Sequence, residues 1–359
     1  MLKVVHVVSS FSLGGVQTGM LYSIEELNKE FDYTVITYKA DENWLKEVPS
    51  GIKKHITILG ASTIFSGTIK SFRLLQIMKP DVVVASLWKS VPAAIMYKIF
   101  NPKVCLCGFY HQNGIIHFLE RFFLKVLSKK QDMAFADSAA TKKFIKEKLS
   151  VENTVVVPYL FNFNTLHKTT IINHPKIKLV FFGRLAQVKR VDRMLLFCKL
   201  CKEAGINFQF DIYGKGDAEK YKAIIDNYKL QNEVTIKDLL PLNKIQPTML
   251  QYDFLLQLSD IEGMALSVVE GLSCGLIPLV TPVGEIENYT KDGVNALWLY
   301  PDFDKNLPLL VEKLLIVLKT PETYKSLSYE ATQTFKTQKK YVESFCEGIN
   351  DFIKRKSSL

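Results

Sequence analysis

Short runs of β-branched and aromatic residues alternate along this chain with longer stretches of helical periodicity. In the first half the strand-like runs are residues 4–8, 34–37, 82–85, 104–108, 133–137 and 154–157. In the second half they are 178–182, 208–213, 234–236, 254–257, 277–281 and 296–299. Helical patterns such as 19–28 and 71–79 lie between them. Parallel neighbours need a crossover of a dozen or more residues, so this alternation predicts parallel α/β sheets with helices on both faces. The rhythm lapses once, in PYLFNFNTLHKTTIINHPK at 158–176, a polar, Asn-rich segment bounded by prolines. It reads as a linker. The expected organisation is a first doubly wound, Rossmann-like domain at 1–167 and a second at 168–336, with a helix at 337–359 that packs back on the first. Two such domains are expected to face each other across a cleft, with ligands at the carboxyl ends of the strands.

The segment richest in chemistry is SDIEGMALSVVEGLSCGLIPLVTPVGE, residues 259–285. An apolar strand ends just before it, and a helix is predicted from Leu266 to about Cys274. The unpaired N–H groups of residues 264–267 at the start of that helix, together with its dipole, favour an anion. Glu262 precedes the helix and Glu270 lies one turn inside it. On one continuous helix, residues eight apart stand ~12 Å apart, beyond the ~5–9.5 Å of a glycosidase carboxylate pair. The spacing instead suits two sets of hydroxyls on one long ligand, with phosphates between them. A sugar nucleotide has that layout. Two ordinary surface glutamates flanking a turn fit the spacing as well.

A second segment, LVFFGRLAQVKRVDRMLLF at 179–197, leads a buried strand into Gly183, Arg184 and Lys189 and then into a helix. Cations there can neutralise a diphosphate and stabilise the charge that grows on it as it leaves; solvated loop cations are the plainer reading. A third, SSFSLGGVQTGM at 9–20, places Gly14 and Gly15 after the first strand, where backbone can approach a phosphate or sugar. The full G-x-G-x-x-G is absent, which weakens a nicotinamide-dependent reading.

In this order and spacing, the three segments resemble the family 4 glycosyltransferases, retaining enzymes with the two-Rossmann GT-B fold. Glu262 and Glu270 match the family's E-x7-E signature, and GRLAQVKRVD resembles its G-R-L-x-x-x-K-G-x-D element. PDVVVAS, DIYGKGD and PVGEIENYTKDGVNALWL match further stretches. The resemblance implies that Arg184 and Lys189 bind the donor diphosphate and that Glu270 holds the ribose hydroxyls. It implies that Glu262 and the backbone of Gly263, Met264, Ala265 and Leu266 hold the transferred sugar and the β-phosphate. Gly183 would belong to the same donor site, which makes 168–336 the nucleotide-sugar-binding domain and 1–167 the acceptor-binding domain. Gly14 and Gly15 would approach the diphosphate from the first domain, and His111, in GFYHQNG, would contact the sugar near the reacting carbon. Taken alone, His111 reads equally as a satisfied loop histidine. The chain departs from the family pattern at Arg190, where glycine is usual. It departs again at Gln17, at Glu285 and in PYLFN at 158–162.

Composition then narrows the partners. The chain of 359 residues carries 46 Lys+Arg against 36 Asp+Glu, a formal net charge of +10, with a mean hydropathy of +0.08 and a pI of about 9.1. Most of the excess lies in the first half. There HFLERFFLKVLSKK at 117–130 suits an amphipathic helix whose Arg121, Lys125, Lys129 and Lys130 would face an anionic membrane surface. A helix docking its apolar face on the sheet accounts for the same pattern. No apolar stretch reaches the ~18 residues of a membrane span. The first residues read as a strand rather than a signal peptide. The expected location is therefore cytoplasmic, peripheral on the inner membrane's cytoplasmic face. The six cysteines read as reduced, mostly buried thiols. The D-x-D of Asp302 and Asp304 reads as a surface turn, so no metal and no cofactor is expected beyond the nucleotide-sugar substrate.

The combined expectation is a retaining hexosyltransferase. It would move a hexose or N-acetylhexosamine from a nucleotide sugar, UDP-linked, to a glycan or polyprenyl-diphosphate-linked acceptor. The setting would be bacterial cell-surface polysaccharide assembly, lipopolysaccharide or capsule. A sugar-nucleotide epimerase on the same fold is the alternative. A basic nucleic-acid-binding protein is disfavoured, because no interleaved aromatic and basic module is present, and no nucleic-acid partner is expected.

Overall fold

The computed structural model describes residues 1–11, 14–41, 45, 48–111, 118–161 and 176–357. It divides into two compact units, Met1–Phe161 with Lys339–Leu359, and Asn162–Gln338. Much of the expected linker and the expected boundary at 167/168 lie outside the described residues.

The first unit carries β1 (Lys3–Val8), α1 (Gly15–Glu30), β2 (Asp32–Thr37), β3 (Ile56–Ile58), α2 (Ile64–Met78), β4 (Val82–Ser86) and α3 (Val91–Phe100). These are followed by β5 (Cys105–Tyr110), α4 (Phe118–Lys130), β6 (Met133–Ala136), α5 (Ala139–Leu149) and β7 (Thr154–Val156). Its seven strands are parallel in the order β3-β2-β1-β4-β5-β6-β7. Strand order reverses between β1 and β4, and ligands bind at such a switch point, beyond the carboxyl ends of the strands. Strands buried on both faces need continuous apolar runs, and Val4, Val5, Val7, Val8, Val82, Val83 and Val84 are fully buried.

In the second unit the elements are β8 (Ile177–Phe182), α6 (Val191–Glu203), β9 (Phe208–Tyr213), α7 (Ala218–Asn227), β10 (Val234–Lys237), α8 (Leu242–Met249) and β11 (Phe254–Gln257). Then come α9 (Leu266–Ser273), β12 (Ile277–Val280), β13 (Leu297–Trp298), α10 (Leu307–Lys319) and α11 (Pro321–Gln333). Its six parallel strands run β10-β9-β8-β11-β12-β13, so the switch falls between β8 and β11. Arg184 follows β8 and Glu262 follows β11. The topology therefore brings the 179–197 and 259–285 motifs to one switch point, although 78 positions separate Arg184 from Glu262.

The last helix, α12 (Tyr341–Ser357), belongs to the first unit. Tyr341 and Phe345 are fully buried there. Tyr341 stacks on Tyr159 (ring centroids 5.5 Å apart) and Phe161 (5.3 Å), and Phe345 packs against Phe135 (5.1 Å) and Tyr33 (6.0 Å). The Tyr341 amide donates to the Leu160 carbonyl (2.7 Å).

Candidate functional site

In the second unit, β8 ends at Phe182, and the chain passes Gly183 and the exposed Arg184 into the short turn Gln187–Lys189. Lys189 reaches Glu262, placing its ammonium 2.7 Å from Oε1 and 2.6 Å from Oε2. The Glu262 side chain is 4% exposed and the Lys189 side chain 18%, so the pair is largely shielded from water. Glu262 accepts a second hydrogen bond from Gln257 Nε2, and Gln257 Oε1 accepts one from Ser267 Oγ (3.2 Å). The last residue of β11 thus holds the carboxylate opposite Lys189, and the first turn of α9 in turn orients that residue's amide. Arg184 pairs with no carboxylate among the described residues.

Backbone geometry fixes the turn between Glu262 and α9. Ala265 caps α9 in the left-handed region (φ 52°), at a cost of roughly 1–2 kcal/mol for a residue with a β-carbon. The first bond inside the helix runs from Val268 N to Ala265 O (2.8 Å), so the N–H groups of Leu266 and Ser267 precede the intrahelical ladder. Tyr289 OH donates to Met264 O (2.8 Å), and Glu285 N donates to Gly263 O (3.1 Å). Burial raises the Tyr289 phenol, and the charges of Glu262 and Glu285 raise it further, so it stays a proton donor. A β-carbon on Gly263 would meet nothing, which leaves that side of the turn open. Glu270 lies within α9 and is 3% exposed. Burial and the Glu270 charge push the Cys274 thiol up to about 12.

Two departures from the family pattern acquire physical reasons. Glu285 sits at φ −78°, which any residue adopts, so no glycine is required there. Arg190 sits at φ 49°, ψ 49°, the left-handed region that glycine enters freely. Asp304 of the D-x-D accepts from Arg193 Nε (2.7 Å) and Arg190 Nη2 (3.3 Å), while Asp302 pairs with Lys305 (2.9 Å). The Arg193 hydrogen bond above all holds the Asp304 carboxyl below its usual range.

The first unit places Gly14, extended at φ 178°, at the cap of α1 beyond β1, with Gly15 opening the helix. A β-carbon on Gly15 would meet nothing. Gln17 is buried and donates to the Ser10 carbonyl (3.2 Å), closing the loop after β1. His111 follows β5 with its side chain 2% exposed. Its Nε2 bonds Ser86 Oγ (2.8 Å), and its Nδ1 bonds Tyr159 OH (3.0 Å). Ser86 Oγ also bonds His6 Nε2 (2.6 Å), and His6 Nδ1 bonds Tyr33 OH (2.7 Å). Five side chains, from three strands and the segments after β5 and β7, therefore form one buried hydrogen-bonded line. The residues after His111, at 112–117, lie outside the described residues, as do 12 and 13.

Burial lowers the His6 pKa to about 3, and burial followed by the neighbouring His6 lowers that of His111. Both rings stay neutral in the fold, while in the unfolded chain they take up protons below about 6.5. Their contribution to stability is thus complete above that pH and is lost as the pH falls towards 3. The expected slope approaches about 1.4 kcal/mol per pH unit for His6 alone and steepens with His111. Urea unfolding at pH 7.5, 6.5, 5.5 and 4.5 measures it, and a flat profile down to pH 5 would contradict the neutral pair.

On α4, Leu127 is buried and Phe123 and Val126 pack against the core, while Phe118 (82%), Leu119 and Phe122 are exposed. Arg121, Lys125, Lys129 and Lys130 are exposed beside them. The helix docks one apolar face on the sheet and leaves a second outside. Among the described residues no helix is long and apolar enough to cross a membrane.

Several of these residues gave no signal in the sequence. Gln257 reads as one more residue of an apolar strand, and its amide is informative only once Glu262 is beside it. Ser267, Tyr289 and Arg193 are similar cases.

Residues 162–334 match the family described as glycosyl transferases group 1. The uncharacterized glycosyltransferase MJ1178 of Methanocaldococcus jannaschii is 28% identical over 214 residues, 58% of this chain and 55% of that protein. The poly(glycerol-phosphate) alpha-glucosyltransferase of Bacillus subtilis is 29% identical over 210 residues, 54% of this chain and 30% of that protein. The chain thus spans about half the length, or less, of these curated relatives. Among solved structures, Anabaena Alr3699/HepE in complex with UDP and glucose superposes with a TM-score of 0.79 at 15% identity, covering 100% of both chains. Residues 162–334 therefore belong to the glycosyl transferases group 1, on a chain whose two Rossmann-like units have the GT-B fold.

Proposed function

We propose that this protein is a retaining glycosyltransferase that moves a hexose or N-acetylhexosamine from a UDP-sugar to a glycan or lipid-linked glycan in bacterial cell-surface polysaccharide assembly. The observation that carries the reading is the shielded Lys189–Glu262 pair at the β8/β11 switch point of the group 1 domain. In the reaction the bond between the anomeric carbon and the diphosphate oxygen breaks with its electron pair going to the diphosphate, an acceptor hydroxyl oxygen bonds that carbon, and the hydroxyl proton passes to the departing diphosphate. Arg184 and Lys189 take up that charge, with the N–H groups at the start of α9 beside them. These cations, rather than a metal, stabilise the leaving group. Glu262 holds hydroxyls of the transferred sugar and Glu270 those of the ribose. We assign His111, Gly14 and Gly15 of the first unit to the sugar and diphosphate as the resemblance implies. UDP in a fold neighbour and a glucosyl transfer in the name of a curated relative support the donor class.

A thermal-shift panel of nucleotide sugars tests this reading. The true donor raises the melting temperature in proportion to ln(1 + [L]/Kd). Product analysis with and without an acceptor then separates transfer from epimerisation. No shift with any nucleotide sugar or nucleoside diphosphate would overturn it.

We assign α4 to an anionic membrane surface at which the enzyme is peripheral. The interleaving of exposed Phe118, Leu119 and Phe122 with Arg121, Lys125, Lys129 and Lys130 supports this. Flotation with anionic liposomes is expected to carry the protein upward, less so at high salt. Absence from the floated fraction at physiological salt removes the assignment.

A further inference from the structure

Arg190 links the two motifs that meet at the β8/β11 switch point. It lies directly after Lys189 and directly before α6, so its backbone dihedrals set the direction in which the Lys189 turn leaves the helix. Those dihedrals are left-handed, a region that a β-carbon disfavours, so something must hold them. Three carboxylates do so. The guanidinium pairs through Nε with Asp192 (3.1 Å), through Nη1 with Asp260 (3.3 Å) and through Nη2 with Asp304 (3.3 Å). Arg193, one turn on and 3% exposed, pairs with Asp260 (2.9 Å) and Asp304 (2.7 Å) and donates to Leu258 O (2.9 Å). Its guanidinium also lies 5.0 Å from the centre of the Phe303 ring.

Asp260 is two residues before Glu262, and its amide donates to Val188 O (2.9 Å), one residue before Lys189. The segments carrying Lys189 and Glu262 are therefore joined by a backbone bond and by both guanidinia. The charge balance is two cations against three carboxylates. Without Arg190 one cation would face three carboxylates, and their repulsion would drive Asp260 and Asp304 apart.

We propose that Arg190 is a positioning residue that, with Arg193, Asp260 and Asp304, clamps the Lys189 turn to the Glu262 turn and so presets the Lys189 ammonium for a diphosphate. The role of the clamp in ligand binding rests on the donor site proposed above; the clamp itself does not. Glycine at 190 would hold the same backbone without strain but would leave the two turns joined through the Asp260–Val188 backbone bond, Arg193 and the Lys189–Glu262 pair itself. In this chain the D-x-D carboxylate Asp304 serves the clamp.

The test uses the intact chain, Arg190→Gly and Arg190→Lys, first without ligand. Hydrogen exchange of the Arg190→Gly variant is expected to rise about tenfold in residues 185–190 and 258–263, with the rest of the second unit unchanged. Its melting temperature is expected to stay within about 3 °C of the parent, because glycine relieves the left-handed backbone. Arg190→Lys, which keeps the charge but not the fork, is expected to fall between them. UDP binding by calorimetry is expected to weaken about fivefold in Arg190→Gly, and adding Asp304→Asn to that variant is expected to weaken it little further. Unchanged exchange in both segments overturns the clamp. So does a rise spread over the whole unit, or full additivity of the two substitutions. Failure of the parent chain to bind UDP instead overturns the donor reading, while the exchange result still decides the clamp.

Discussion

Replacing Lys189 with alanine is expected to lower sugar transfer by about 10²–10³-fold, the usual loss when one donor to a developing anion is removed. The same substitution is expected to destabilise the second unit by about 2 kcal/mol. It strands the Glu262 carboxylate, 4% exposed, with Gln257 as its remaining donor among the bonds described. Breaking a fully buried pair costs about 3–5 kcal/mol, and the 18% exposure of Lys189 reduces that here. Arg184→Ala separates the two effects. Arg184 is exposed and pairs with no carboxylate among the described residues, so its loss is expected to cut transfer to a comparable degree without a measurable change in stability. Single-turnover transfer and urea unfolding of both variants measure this. Adding Glu262→Gln to Lys189→Ala is expected to recover stability but not transfer. Wild-type turnover in both single variants would end the diphosphate assignment.

Gly284→Ala is the second large effect, and it acts through the backbone. Gly284 is left-handed at φ 64°, and a β-carbon there would collide with the Glu262 carbonyl and come within 2.9 Å of the Gly263 carbonyl oxygen. The neighbouring chain cannot retreat, because Glu285 N is bonded to Gly263 O and Tyr289 OH to Met264 O. Left-handed strain of about 1–2 kcal/mol and overpacking of about 1–3 kcal/mol together predict a loss of about 3 kcal/mol. The damage is expected to centre on the Glu262 turn. Donor binding should therefore fall more than the melting temperature suggests, as calorimetry with UDP and a thermal melt on the same sample would show. A variant that binds UDP like the parent would mean that the turn is not built around this glycine.

Strong periodicity made most of the fold legible. Runs such as 208–213 and 254–257 coincide with β9 and β11: Phe208, Phe210 and Ile212 alternate with Gln209 and Asp211 in β9, and Phe254, Leu255 and Leu256 lead up to Gln257 in β11. β3 escaped notice because its three residues at the sheet edge are half-buried or exposed and carry little pattern. α2 begins at Ile64 rather than 71, since Phe65 is 78% exposed and breaks the apolar stripe that would have marked its first turn. α1 begins at Gly15, at the glycine pair after β1 and four residues before the helical pattern at 19–28.

The candidate site divides in the same way. Lys189, Glu262 and Glu270 stand in contiguous motifs and could be picked out one by one. The clamp around Arg190 could not, because its members are drawn from 190–193, 260 and 304 and meet only through the sheet order. The left-handed backbone of Arg190 was hidden for a further reason, because the residue that normally signals such a conformation is replaced by one that hides it.

The return of α12 to the first unit has a consequence for how the protein is made. Tyr341 and Phe345 complete the aromatic layer over Tyr33, Phe135 and Tyr159, yet they are translated after every residue of the second unit. On the ribosome the second unit can close while the first still lacks its last wall. The nascent chain then carries an exposed aromatic face until that final helix emerges. For that interval the first unit is the part of the molecule open to misassembly, and the delay before α12 emerges sets how long that exposure lasts.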